Sequence, residues 1–179
     1  MYIKQNVRLS LNYYTLIRLA DELAEGPQRT SSFLVESGLI APESMIYHQY
    51  ALVTVPAGID RVRGLIALNF EINLNQFDDI TLRSLLNTIY SRALKLNFER
   101  RYTRHYSPVL LPFRETSLRI NFLRNSNEIN ADLPPLSLKD FNSNGFHETQ
   151  NDHLSIFKNL NQAYDIDSLM DRLSQRETS

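Results

Sequence analysis

Residues Gly64–Arg104 read GLIALNFEINLNQFDDITLRSLLNTIYSRALKLNFERRYTR, and the change of period inside that run decides the fold. Ile66, Leu68, Phe70, Ile72 and Leu74 occupy every second position, with Ala67, Asn69, Glu71, Asn73 and Asn75 between them. Successive side chains of a strand point to opposite faces, so this is a strand with one apolar and one polar face. At Asp78-Asp79 the period changes. Leu82, Leu85, Leu86, Ile89, Ala93 and Leu96 recur at three- and four-residue steps, one stripe of a helix whose other side carries Arg83, Asn87, Ser91 and Lys95. A strand and a helix of this kind bury their apolar faces against each other, which seeds an α+β core.

Outward from that run the elements follow by local rules. Tyr2–Leu9 is short and mixed and reads as an arm or edge strand, leading to Ser10 or Asn12 as an N-cap. Tyr13, Leu16, Ile17, Ala20 and Leu23 then form a helical stripe, stopped by Gly26-Pro27. Thr30-Ser31-Ser32 caps a short helix through Phe33, Leu34 and Val35 to Gly38, and Leu39–Pro42 leaves it extended. Met45–Val55 is rich in Tyr, Val and Thr and is predicted as a strand, although Pro42-Glu43-Ser44 would also start a helix. Pro56–Asp60 then supplies a turn, and Arg61–Asn75 returns as the hairpin partner. The long helix is placed at Ile80–Leu96, with Asp78 and Asp79 at the positive end of its dipole. Pro108–Phe113 suits an edge or loop, and Leu118, Ile120 and Phe122 alternate as a further strand.

After Arg124 the composition turns polar. Asn125–Gly145 carries five Asn and Pro134-Pro135 and reads as a linker or extended arm. Leu154, Phe157 and Leu160, then Ile166, Leu169, Met170 and Leu173, make two short amphipathic patterns. Helices that short are marginal alone, so they must dock on something. The expected architecture is therefore α+β: N-terminal helices, a long antiparallel β-hairpin and a further strand packed on one long amphipathic helix. Residues 1–124 form the globular domain and 125–179 an extended acidic arm.

Charge and composition narrow the function. The net charge of −1 conceals an uneven distribution. Residues 1–56 hold 4 basic and 5 acidic side chains, 57–124 hold 11 and 6, and 125–179 hold 4 and 9. Of 19 basic residues 15 are Arg, which favours forked contacts to carboxylate or phosphate. The chain has no Cys, so disulfides, thiolate nucleophiles and Cys-ligated metals are excluded. Five Gly form neither a phosphate loop nor a dinucleotide fingerprint, and no Gly-x-Ser-x-Gly elbow occurs. His147 and His153 lack zinc-protease spacing and read as loop polars, and Asp78-Asp79 reads as a cap rather than an acid/base pair. No cofactor or metal site is expected. Neither a signal segment nor a long apolar run is present, which leads us to expect a cytoplasmic protein, or one of a particle assembled in the cytoplasm.

One constellation invites a functional reading: Arg100-Arg101-Tyr102-Thr103-Arg104-His105-Tyr106, with Arg92 and Lys95 upstream and Arg114 and Arg119 downstream. We expect a non-enzymatic structural or assembly subunit, a homo-oligomer or a member of a larger protein complex. Arg100, Arg101, Arg104 and Tyr106 would make one side of its contact, and Phe157, Leu160, Leu169, Met170 and Leu173 would anchor the arm on a partner. The alternative is RNA or single-stranded DNA, held by Arg92, Lys95, Arg100, Arg101, Tyr102, Arg104 and Tyr106 through phosphate forks and base stacking. The order helix, hairpin, helix, strand over residues 10–124 resembles that of tail-completion and neck proteins of tailed phages, an order many α+β domains share. That resemblance implies a ring-forming virion subunit.

Overall fold

The computed structural model describes residues 2–30, 37, 38, 40–140 and 153–175. Its centre is the strand and helix of the deciding run. Strand β2, Leu65–Asn73, buries Ile66, Leu68, Phe70 and Ile72, while the intervening residues stay at least partly open. Helix α3, Asp79–Tyr106, starts at Asp78, whose carboxylate accepts the Thr81 amide at 2.7 Å. It runs ten residues beyond the predicted end at Leu96, closing where the Ser107 amide reaches Thr103 O at 2.8 Å. The extension has a physical cause. The inward stripe continues at Asn97, Arg100 and Thr103, polar residues that are buried because each finds bonding partners. A stripe followed by hydrophobicity alone stops short of them.

Strand β3, Glu115–Arg124, lies parallel to β2 in unbroken register from Leu65↔Glu115 to Asn73↔Leu123. A parallel pair needs a crossover, and α3 supplies it. Because Ile66, Leu68, Phe70 and Ile72 stand beside Thr116, Leu118, Ile120 and Phe122, both strands bury the same face. Strand β1, Thr54–Asp60, pairs antiparallel with β2, as the hairpin reading expects, but elsewhere in the sequence. Pro56-Ala57-Gly58, expected as the turn, lies within β1, where the register shifts between Val55 and Gly58; an edge strand tolerates such a proline. The turn falls at residues 61–64 instead. There Gly64 takes φ +66° and its carbonyl accepts the Arg114 amide at 2.8 Å. A Cβ on Gly64 would stand 2.1 Å from Pro112 O, so only glycine fits.

Met45–Val55, expected as a strand, is mostly helix: α2 spans Pro42–Val53 and β1 begins at Thr54. Pro42 at the first helical turn and Glu43 beside it start α2, and burial of Tyr50, Ala51 and Val53 outweighs the β preference of the stretch. Helix α1, Tyr2–Leu23, begins well before the Ser10 or Asn12 cap expected, so Tyr2–Leu9 is helical rather than an arm. It packs on α3 through Thr15 and Leu19, and Thr103 Oγ1 donates to Thr15 O at 3.0 Å. Most of the short helix expected from residue 33 to Gly38 lies outside the described residues.

The boundary drawn at residue 124 does not end the core. Asn125 and Ser126 turn the chain at φ 51° and 65° into β4, Asn127–Ile129, antiparallel to the end of β3. Strand β5, Leu136–Lys139, pairs antiparallel with the beginning of β3. Helices α4, His153–Leu160, and α5, Ile166–Gln175, then place Phe157, Leu169, Met170 and Leu173 in the same apolar cluster as α3 and the sheet. Phe157 stacks on Tyr90 of α3 with ring centroids 4.4 Å apart and 8° between planes. Tyr164, between these helices, donates to Pro134 O at 2.8 Å. Short amphipathic helices do need a dock, as the sequence argues, and the apolar flank of α3 in the same chain provides one. The end of the expected linker, 141–145, lies outside the described residues.

Candidate functional site

The last three turns of α3, the loop after it and the end of β5 converge on one cluster of guanidinium groups. Arg100 is completely enclosed. Its Nε donates to Thr116 Oγ1 at 2.9 Å, Nη1 to Phe113 O at 2.8 Å, and Nη2 to Asn97 Oδ1 and Asp140 Oδ1, both at 2.7 Å. Asn97 and Arg100 are three residues apart on α3 and so share a face. Asp140 arrives because β5 is registered on β3 with Lys139 opposite Glu115, and its own amide donates to Arg114 O at 3.1 Å. The other Asp140 oxygen meets Arg104 Nη1, and Arg101 Nε stands 4.0 Å from the same carboxylate.

The electrostatics are lopsided. Burial, then the neighbouring charge of Arg101, push the Arg100 guanidinium down to about 10 despite Glu115. Arg104 is lowered too, first by burial and then by Arg100, Arg114 and Arg101. Four cations are thus felt at one spot where, among the described residues, Asp140 is the carboxylate in contact. Beside it opens a cleft of about 370 Å³ lined by Arg101, Tyr102, Arg104, His105, Tyr106 and Asp140. The Tyr102 and Tyr106 rings are 4.9 Å apart, and His105 meets Tyr106 edge-on at 4.9 Å. Arg18 of α1 extends the surface, with its guanidinium 5.7 Å from the Tyr102 ring and 5.9 Å from the Tyr14 ring while it pairs with Glu99.

The residues singled out in the sequence divide among three places. Arg101, Tyr102, Arg104 and Tyr106 come together at the cleft, with Arg100 enclosed behind it. Arg92 and Lys95 face α1 and α2 instead. Lys95 Nζ pairs with Glu22 at 2.5 Å, Arg92 lies 3.5 Å from Glu22 and 3.9 Å from Glu25, and Arg92 covers the rings of Tyr47 and Tyr50. Phe157, Leu169, Met170 and Leu173 are enclosed against α3, whereas Leu160 is exposed. Asp140 and Thr116 escape a linear reading, whereas Arg114, downstream of the heptapeptide in the sequence, does act on Arg104, and Arg119 stands exposed on the sheet. Asp140 falls in a stretch whose composition reads as linker, and only strand register brings it to α3.

Of the histidines, His48 Nδ1 meets Thr30 Oγ1 at 2.8 Å, and His105 lies at the cleft rim. Among the described residues no group of three His, Cys, Asp or Glu is placed to hold a metal ion, and no helix is long and apolar enough to cross a membrane. Set against protein-family models, curated proteins and solved structures, the chain matches none of them.

Proposed function

We propose that the chain is a non-enzymatic assembly subunit that binds sister copies through the guanidinium- and tyrosine-lined end of α3. The observation that carries this reading is the imbalance at the cleft: Arg100, Arg101 and Arg104 gather around Asp140, with tyrosine rings alongside. Arg and Tyr, with Trp, are enriched where protein contacts concentrate their energy. An incoming anion would neutralise such a cluster further, and a partner's acidic side chain supplies one. The competing reading, RNA or single-stranded DNA, draws on the same rings and forks. It loses support because Arg92 and Lys95 are held by Glu22 and Glu25, which breaks the basic track along α3. A ring-forming particle such as a phage neck is one setting for such a subunit, proposed on element order alone.

Sedimentation of the full chain tests this. The expected result is a mass of several 20.8 kDa chains that falls to one chain when Arg101→Glu and Tyr106→Ala are combined. A single-chain mass at every concentration would overturn the self-assembly. Salt-sensitive retention of oligonucleotides, lost in the same variant, would transfer the site to nucleic acid.

A further inference from the structure

We infer that the cleft is a carboxylate clamp, built to take an acidic side chain of an extended protein segment between Arg101 and Arg104. The inference rests on the assembly reading and names the group recognised. Its first ground is the division of labour among the three guanidiniums. Arg100 is enclosed and fixed by Thr116, Phe113 O and Asn97, so it is a positioning residue: it holds Asp140 and adds positive field without reaching the cleft. Arg104 shares the second oxygen of Asp140. Arg101 touches that carboxylate only at 4.0 Å, beyond hydrogen-bond range, and three quarters of its side chain is already covered. Its fork is therefore held near the carboxylate by charge, without a hydrogen bond to it.

The second ground is the ligand the cluster already accommodates. The two oxygens of Asp140 meet Arg100 and Arg104, so a carboxylate is the group this cluster already takes. A second carboxylate entering on the Arg101 side would offset charge that Asp140 leaves uncompensated. The rings of Tyr102 and Tyr106 supply the apolar wall along which the methylenes of a glutamate and its neighbours lie. A polynucleotide would need cations repeated at the phosphate spacing. Along α3 the next two, Lys95 and Arg92, already have carboxylate partners on α1.

The test uses the full chain, isotopically labelled, with a hexaglutamate peptide as probe. Hexaglutamine, a ten-residue oligothymidylate and inorganic phosphate serve as comparisons, and the readout is the Nε–Hε resonances of the arginines. Hexaglutamate is expected to shift the Arg101 and Arg104 signals saturably while hexaglutamine does not. Arg101→Gln, at a partly exposed position, should weaken the peptide about tenfold, the loss of one charge-assisted contact. Arg119→Gln, exposed on the open face of the sheet, should leave affinity unchanged. Absence of binding, or binding indifferent to Arg101→Gln, overturns the clamp. So does tighter binding of phosphate or of the oligonucleotide at the same resonances. The two proposals fail separately when the peptide is added at a dilution where the chain sediments as one copy and the cleft is free: no binding there loses the clamp and leaves assembly, whereas a chain that stays single at every concentration yet binds the peptide keeps the clamp and loses assembly.

Discussion

Replacing Arg100 with Met is expected to cost the fold about 3–5 kcal/mol, the range for removing one partner of a buried ionic network. Methionine fills much of the same volume, so the loss is of bonding rather than packing. Thr116 and Asn97 are buried, and with Phe113 O they would face a side chain that donates nothing; each orphaned group costs about 1–3 kcal/mol. Asp140 would keep Arg104, which holds the total below the sum of the parts. Lysine should not rescue the protein, because an ammonium cannot reach Thr116, Phe113 O, Asn97 and Asp140 as a planar fork does. Urea unfolding checks this: the midpoint should fall with unchanged slope. A shift within error of wild type would show that the Arg100 network carries no stability.

Phe157→Ala should have an effect of similar size, about 3–5 kcal/mol, the usual cost of emptying an aromatic site in a packed core. Phe157 is completely enclosed, stacked on Tyr90 and 5.9 Å from the Tyr164 ring. Leu160→Ala, on the same helix but exposed, is the internal comparison and should change stability by less than about 0.5 kcal/mol. If α4 were an arm reserved for another molecule, the two substitutions would be equally harmless to the isolated chain.

These two positions also mark how far the sequence could be read. The central strand and helix were legible because their apolar periods are clean over Ile66–Ile72 and Leu82–Leu96. The last ten residues of α3 were not, because its buried face turns polar at Asn97, Arg100 and Thr103, and their partners come from the loop, β3, β5 and α1. Helix α2 was missed for a related reason. Its β-branched end, Val53-Thr54-Val55, belongs to the junction with β1, and packing of Tyr50 and Ala51 decides the remainder. The pattern of Phe157, Leu169, Met170 and Leu173 announces faces that must be covered. Periodicity cannot say by what, and the chain's own α3 covers them. At the cleft the arginines and tyrosines stand out in one heptapeptide. Which fork is enclosed, which is committed to Asp140 and which is left to a ligand depends on strand register, which composition does not encode.

Native-state hydrogen exchange asks whether the described residues after Arg124 belong to the core, leaving the arginine cleft as the binding surface. The amides of β5 that bond β3 and those of Leu169–Leu173 in α5 should exchange only by global unfolding, with the same free energy as those of Leu85–Ala93 in α3. Exchange of β5 and α5 through a separate, low-energy opening while α3 stays protected would contradict it and return those residues to a detachable arm.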